Sequence, residues 1–466
     1  MTALVRNSDR RRLLDFTGCV KFAVMATALL MLTGCRTSFR EYVQNGFKVG
    51  PDYHTVAAPV SDVWIDDRAE GLNSQTQAYW DWWRVFNDSK LEELIQTAKE
   101  QNLTLREAGF RIDEARALRG MAVGNLFPQQ QTFSGAYRRQ QLSVASNITA
   151  GGGGGIPGIA RSFDVWNTGG QLAWELDFWG RYRRAIESAD ATLDASIENF
   201  DSLFVIMLSD VASTYVEIRT TQQRIRYAEA NVKSQQGTFD RTIDLKEGGS
   251  ADDLDVGRVE SNLAQTEASI PPLKAQLRQA KNRLCVLLGV PPQNIDELIG
   301  EGVIPKAPPE VALGVPADLL RRRPDVRRAE RLAAAQSARI GIAEANLYPA
   351  FSVTGSVFYQ AGQFADLFQP AALGGAVGPS FNWQILNYGR IVNSIDAEEA
   401  RFMALVTAYQ QAVLNANREA EDAIVAFLQA QQQVLALRRS VEATEVTLRV
   451  MKDRLRAGRA SSLDLF

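Results

Sequence analysis

The chain has 466 residues, of which 45% are hydrophobic and 23% charged, a formal net charge of −3 and a mean hydropathy of −0.17. This composition excludes a disordered chain and a bundle of membrane-spanning helices. The weak charge gives no argument for a nucleic-acid partner. The sequence shows no metal-ligand spacing, nucleophile elbow or phosphate-binding glycine loop, so we expect neither an enzyme nor a cofactor.

The N-terminal segment has the layout of a secretory signal. A basic stretch precedes an apolar segment of 11 residues, Phe22–Leu32, which is too short to span a bilayer as a helix. They continue directly into Leu-Thr-Gly-Cys, residues 32–35, which resembles the lipobox of bacterial lipoproteins. The resemblance predicts that residues 1–34 are removed, that Cys35 is acylated and that residues 35–85 form a lipidated extension. A plain signal peptide is the alternative. In such lipoproteins an aspartate after the cysteine retains the protein at the inner membrane, so Arg36 indicates the outer membrane.

The rest of the chain contains an internal repeat, which we place at residues 86–300 and 301–466. The motif NLFP at residues 125–128 recurs as NLYP at residues 346–349. Two further elements recur 209 positions later: Trp174, Gly180 and Arg181 as Trp383, Gly389 and Arg390, and GGSADDLDV at 248–256 as AGRASSLDL at 457–465. Each copy predicts a helix, a strand, a loop, a strand and a long helix, and the proline of the first motif ends the first helix.

Four strands are predicted, near residues 131–140, 163–178, 351–360 and 376–386. In the third, apolar residues alternate with polar ones, and only Phe358 breaks the alternation. Such a pattern fits a half-buried strand of a soluble sheet, and it also fits a membrane strand with lipid on one side and water on the other.

The long helices carry the heptad spacing of a coiled coil. One helix is expected over residues 185–249, and a second apolar run follows from residue 259 to residue 287. Pro271 and Pro272 lie inside that run and are expected to divide it into two stacked segments. The second copy stops at Phe466, so the repeat predicts that its last helix is missing and that an apolar seam on residues 437–455 lacks its partner.

Taken in order, the motifs resemble the outer membrane efflux proteins, the TolC family, and in particular its lipoprotein branch of the NodT and OprM type. They are VGPDY (49–53), LLRRRPDVRRAE (319–330), NLYP, WELDFWGR (174–181), NYGR (387–390) and AGRASSLDL. The implied fold class is mainly α with membrane β. Long coiled-coil helical hairpins form a periplasmic α-barrel, and each protomer of a homotrimer gives four strands to a shared 12-stranded β-barrel.

The resemblance implies a passive exit duct in the outer membrane of a Gram-negative bacterium, working with a periplasmic adaptor protein and an inner-membrane pump. Independently of it, four strands cannot close a barrel, so some oligomer is required. Alternation then divides the strand residues into two sets. The set expected to face lipid is Phe351, Val353, Val357, Tyr359, Trp174 and Trp383, and the set expected to face the lumen is Ser352, Thr354 and Ser356.

By motif position the resemblance places Asp464, with its repeat partner Asp255, in an acidic ring at the periplasmic entrance. Three carboxylates in a ring would attract cations. A helix cap is the alternative role for both residues. For the whole chain, the alternative function is a lipid-anchored periplasmic coiled-coil scaffold without a pore, which would leave the four alternating strands unexplained. The cargo is not encoded in these motifs.

Overall fold

The computed structural model describes residues 36–73, 81–141, 162–308, 310–312 and 321–457. They form two compact units, each built from segments of both repeat copies. The first unit comprises the described residues of Met1–Val56, Ala115–Leu193 and Arg331–Val406; the second comprises those of Ala57–Glu114, Asp194–Glu330 and Thr407–Phe466. The predicted signal segment, Cys35 and Asp464 lie outside the described residues.

The elements follow the predicted repeat. Those of the first copy and the N-terminal extension are α1 (Phe39–Gln44), β1 (Leu72–Asn73), α2 (Ser89–Gln101), α3 (Leu103–Gly124), β2 (Gln130–Gln141), β3 (Ser162–Leu176), α4 (Arg181–Glu247), α5 (Asp253–Leu287) and α6 (Asp296–Ile299). Those of the second copy are β4 (Val311–Ala312), α7 (Pro324–Ala345), β5 (Ala350–Ala361), β6 (Leu373–Asn382) and α8 (Arg390–Arg456). Short 3₁₀ turns lie at Trp82–Phe86, Phe364–Asp366 and Pro370–Ala372.

The two copies match closely in helix length. Helices α3 and α7 both have 22 residues, and α4 and α8 both have 67. The predicted order of helix, strand, strand and long helix is therefore confirmed in both copies.

Packing of the heptad positions explains the core of the second unit. Leu91, Leu94 and Ile95 of α2 pack with Tyr215 of α4 and Leu284 of α5, and each of these side chains is at most 1% exposed. Helix α2 begins where the side chain of its N-cap, Asp88, accepts hydrogen bonds from the backbone N–H groups of residues 90 and 91. Among the described helices, none is both long and apolar enough to cross a membrane.

The prediction that Pro271 and Pro272 divide the second helix of the hairpin is wrong. Helix α5 runs without interruption through both prolines. Each proline removes one backbone donor, but packing compensates for that loss. Leu263 is buried before the prolines, and Ala280 and Leu284 are buried after them. Tertiary contacts on both sides therefore keep the segments in line.

The strands form two sheets. In the first unit, β2, β3, β5 and β6 pair antiparallel in that order, so β3 and β5 join the two copies and β2 and β6 are the edges. In the second unit, β1 and β4 form a two-residue parallel pair. The first three predicted strands are confirmed within about two residues at each end.

The prediction that the fourth strand reaches residue 386 is wrong, because β6 ends at Asn382. Trp383 and Ile385 continue the apolar alternation, but their backbone turns locally. The N–H of Ile385 donates to the carbonyl of Trp383 at 3.1 Å, and the indole N–H of Trp383 donates to the carbonyl of Leu347 at 2.9 Å. Asn382 pairs with Ala350, the first residue of β5, so the chain beyond Asn382 has no residue of β5 left to pair with.

Seven apolar side chains in the C-terminal half of α8 are exposed, as the repeat predicted. Val434, Leu437, Val441 and Leu448 share one face of the helix, and Leu435, Val446 and Val450 lie on the opposite side. These side chains are between 41% and 60% exposed, and no other described helix covers them.

Candidate functional site

The four-stranded sheet has one apolar and one polar face. Because directly paired residues point to the same side, the register assigns each side chain to a face. The apolar face includes Phe133, Tyr137, Trp166, Leu172, Trp174, Leu176, Phe351, Val353, Val357, Tyr359, Leu373, Val377 and Phe381. The polar face includes Thr132, Ser134, Gln140, Asn167, Gln171, Glu175, Ser352, Thr354, Ser356, Gln360 and Ser380.

The structure thus groups the residues that the sequence proposed for lipid on one side and those proposed for the lumen on the other. Trp383 is the exception, since it lies beyond the end of β6. The apolar face is open: Phe133, Val377 and Phe381 are 81%, 83% and 69% exposed. An apolar surface of this extent marks a membrane or protein contact.

Aromatic clusters lie at both ends of the apolar face. At the end next to the long helices, Phe351 contacts Phe178 and Phe381 with ring centroids 5.5 and 6.4 Å apart. At the opposite end, Trp166 contacts Tyr137 at 4.5 Å and Phe364 at 5.0 Å. Phe351 and Tyr359 are separated by about 27 Å along the strand, close to the apolar band of about 25 Å between the aromatic girdles of membrane barrels.

A shallow concavity lies on the polar face. Its lining includes Gln130, Gln171, Thr354 and Ser356, together with Ala376 and Gly378 of β6. A concavity with polar lining on this face matches the polar interior of a membrane barrel.

The repeated motifs meet at the junction between strands and helices. The indole N–H of Trp174 donates to the carbonyl of Leu126 at 3.2 Å, and its repeat partner Trp383 donates to Leu347 at 2.9 Å. The tryptophan of each copy therefore binds the Asn-Leu-aromatic-Pro turn of the same copy. Sequence reasoning used these motifs to find the repeat but missed the contact. The recurrence of the tryptophan together with the Asn-Leu-aromatic-Pro motif in both copies was the signal that could have predicted this contact.

The Gly-Arg pairs start the long helices in the same way in both copies. Gly180 and Gly389 have φ angles of 81° and 79°, a left-handed conformation that favours glycine. The arginine that follows binds the residue after the tryptophan: Arg181 contacts Glu175 at 3.3 Å and Arg390 contacts Gln384 at 2.6 Å. These contacts fix the direction in which α4 and α8 leave the sheet.

The residues that follow Cys35 are held against the first unit. The backbone N–H and hydroxyl of Thr37 both donate to the buried carboxylate of Glu344, at 2.9 and 2.6 Å. Arg36 pairs with Asp396 at 2.5 Å and with Glu399 at 3.0 Å. The start of the predicted extension is therefore docked at the C-terminal end of α7 and the first turns of α8.

The VGPDY motif continues this docking. Buried Arg184 of α4 donates to the carbonyls of Val49 and Gly50 at 3.0 and 2.8 Å and pairs with Asp52 at 2.6 Å. Gly50 has a φ of 81°, and a side chain there would lie 2.4 Å from the Cα of Gly341 in α7. The motif lets the extension cross the helix at backbone contact distance.

The turn between α4 and α5 carries Asp255. Asp252 is the N-cap of α5, and Asp255 is the third helical residue of a capping box: its N–H donates to Asp252 at 2.9 Å, and its carboxylate accepts from the N–H of Asp252 at 3.3 Å. Lys246 binds Asp253 at 2.6 Å, and this hydrogen bond raises the pKa of Lys246 and lowers that of Asp253. Asp255 thus makes the contacts of a helix cap in this turn.

The sequence matches the family described as outer membrane efflux protein over residues 94–290 and 315–466. The chain belongs to the outer membrane efflux protein family. It is 31% identical over 444 residues to nodulation protein T of Rhizobium leguminosarum bv. trifolii, covering 94% of this chain and 91% of the relative. It is 29% identical to the toluene efflux pump outer membrane protein TtgC of Pseudomonas putida, covering 91% and 86%.

Solved structures agree with this assignment. The outer-membrane channel OprN aligns with a TM-score of 0.80 and 30% identity, covering 90% of this chain and 91% of that chain. The CmeC outer membrane channel of Campylobacter jejuni aligns with a TM-score of 0.81 at 18% identity, which supports the fold alone.

The predicted family, fold class and localisation are thereby confirmed. As a member of the outer membrane efflux protein family, the chain is an outer-membrane channel component of an efflux system and extends into the periplasm. The family consists of channels rather than enzymes. Membership favours the channel over the poreless scaffold.

Proposed function

We propose that three copies of this chain form a passive exit duct, which receives its substrates from a periplasmic adaptor protein and an inner-membrane pump. The two-faced sheet with open edges carries this proposal. Strands β2 and β6 each present a row of unpaired backbone groups, which lipid cannot satisfy. A second copy must therefore pair with each edge, and pairing edge to edge closes a ring.

Strand number favours three copies. Two copies would give a barrel of about eight strands, whose interior is filled by side chains, whereas three give about 12 and leave a lumen. In the closed barrel, Phe351, Val353, Val357 and Tyr359 face lipid, and Ser352, Thr354 and Ser356 face the lumen. Trp174 and Trp383 lie at the inner border of the membrane, where the contacts of their N–H groups favour a wet, amphipathic position.

We assign two further roles to residues beyond the barrel. Acylation of Cys35 tethers the chain to the outer membrane, and the docked residues Arg36 and Thr37 hold that tether next to the sheet.

Asp464 forms a ring of carboxylates at the periplasmic entrance of the trimer. Asp255, the repeat partner of Asp464, lies in a capping box that holds the Asp255 carboxylate at the start of α5. Asp255 is half-buried there, so part of its side chain remains open to solvent.

Single-channel conductance in a planar bilayer tests this function. The purified, lipidated chain is expected to give discrete, cation-selective steps, and Asp464→Ala is expected to give larger steps with less cation preference, because three negative charges leave the entrance. Glu100→Ala, which removes an exposed carboxylate from α2, is the matched control and should behave as the parent. A parent chain that inserts without forming channels would refute the duct, and equal effects of both variants would refute the ring.

A further inference from the structure

Phe358 is an aromatic residue on the polar face of the sheet. The register places it in one row with Ser134 of β2, Gly169 of β3 and Gly374 of β6. The neighbouring rows are polar: Asn167 pairs with Gln360 on one side, and Gln171 pairs with Ser356 on the other. The break in alternation seen in the sequence thus places one aromatic ring among polar side chains.

Glycines leave the space that this ring occupies. A Cβ atom at Gly374 would lie 2.9 Å from both Cε2 and Cζ of Phe358, so the ring fills the position of the missing side chain. On the other side, a Cβ at Gly169 would lie 2.6 Å from the Cα and Cβ of Phe358. The ring therefore lies flat over β6, along the sheet rather than away from it.

We propose that Phe358 is an aromatic contact for apolar or flat aromatic cargo on the lumen wall, and that Gly374 keeps the ring flat so that the bore stays open. This inference rests on the proposed trimeric duct, in which three Phe358 rings lie at one level of the barrel. The face of a flat ring offers a stacking surface to aromatic solutes. The rows directly above and below it are polar, and the other aromatic ring on this face of the described strands, Phe163 of β3, lies three rows away.

Polymer exclusion measures the bore. Polyethylene glycols of increasing size are added only on the outer side of the reconstituted channel, and the size at which they cease to lower the conductance reports the barrel rather than the periplasmic entrance. Gly374→Ala is expected to lower this cut-off, because the added methyl lifts the ring into the lumen. Gly378→Ala is the matched control on the same strand and face, since a Cβ there meets nothing within 4 Å.

The double variant Gly374→Ala with Phe358→Ser separates the ring from the methyl group. It should restore the parental cut-off, and it should also restore assembly if Gly374→Ala alone does not assemble. Equal cut-offs for Gly374→Ala and Gly378→Ala, or a double variant that behaves as Gly374→Ala, would overturn the inference. If the parent chain formed no channels, both the proposed duct and this inference would be wrong.

Block by an aromatic cation measures the contact itself. Tetraphenylphosphonium added on the outer side is expected to leave the channel about twofold to tenfold faster in Phe358→Ser than in the parent, because ring stacking is lost. Phe358→Tyr keeps the ring and should keep the parental dwell time. Block by tetraethylammonium, which has no ring, should be the same in all three chains. Unchanged tetraphenylphosphonium dwell times in Phe358→Ser would contradict the contact.

Discussion

The variant Arg219→Leu is expected to lose about 3–5 kcal/mol of folding free energy, because several hydrogen bonds from a buried charged donor are lost. Arg219 is 2% exposed, and its guanidinium donates to the carbonyls of Ile299 and Gly300 at 2.8 and 2.7 Å and to the hydroxyl of Tyr215 at 3.1 Å. That hydroxyl in turn donates to Asp88 at 2.9 Å. Leucine would fill part of the space but leave these acceptors buried without a donor.

The network links α4 to the N-cap of α2 and to the end of α6, so its loss weakens the core of the second unit as a whole. Unfolding by urea in detergent, followed by circular dichroism, measures the effect as a lower midpoint. Arg226→Leu removes an exposed arginine from the same helix and serves as the control. Equal midpoints for the two variants would show that the buried network contributes little.

Replacing Gly50 with alanine is expected to detach the N-terminal extension from the first unit. The left-handed φ alone costs about 1–2 kcal/mol for a residue with a Cβ atom. In addition, the new methyl would lie 2.4 Å from the backbone of Gly341, so the extension must move away from α7. Amide hydrogen exchange at Thr37 and Val49, whose N–H groups bind Glu344 and the carbonyl of Trp179, should accelerate by at least about 100-fold.

Gly46 provides a control that separates these two effects. Its φ is 68°, and a Cβ there meets nothing within 4 Å. Gly46→Ala therefore carries the conformational cost without the clash and should accelerate exchange by about tenfold. If the two glycine variants accelerate exchange equally, the backbone contact between Gly50 and Gly341 does not hold the extension.

The sequence predicted those features that depend on periodicity. Alternation assigned Ser352, Thr354 and Ser356 to one face and Val353 and Val357 to the other, and the register agrees because a side-chain period of two admits one division into faces. The heptads predicted the long helices for the same reason. Motif recurrence predicted equivalent elements in both copies, and the helix lengths agree.

Features that depend on tertiary contacts could not be predicted. Trp383 and Ile385 keep the strand pattern, yet β6 ends before them because its partner β5 begins at Ala350, opposite Asn382. Pro271 is a helix breaker by local rules, but α5 continues through it, with Leu263 and Leu284 buried on either side. The ring of Phe358 fits its row only because Gly374 lies opposite, across a pairing that the sequence does not reveal.

Solvent access to the two faces of β5 tests the central claim most directly. Adjacent residues Val353 and Thr354 lie on opposite faces. Of the three native cysteines, Cys285 is fully buried, and in the proposed mature protein Cys19 is removed with the signal segment and the thiol of Cys35 is acylated, so an introduced cysteine supplies the accessible thiol. In intact outer membranes, a polar, membrane-impermeant thiol reagent should label Thr354→Cys through the lumen and leave Val353→Cys, which faces lipid, unlabelled. Equal labelling of both, or labelling of Val353→Cys alone, would contradict a lipid-embedded barrel with a water-filled interior.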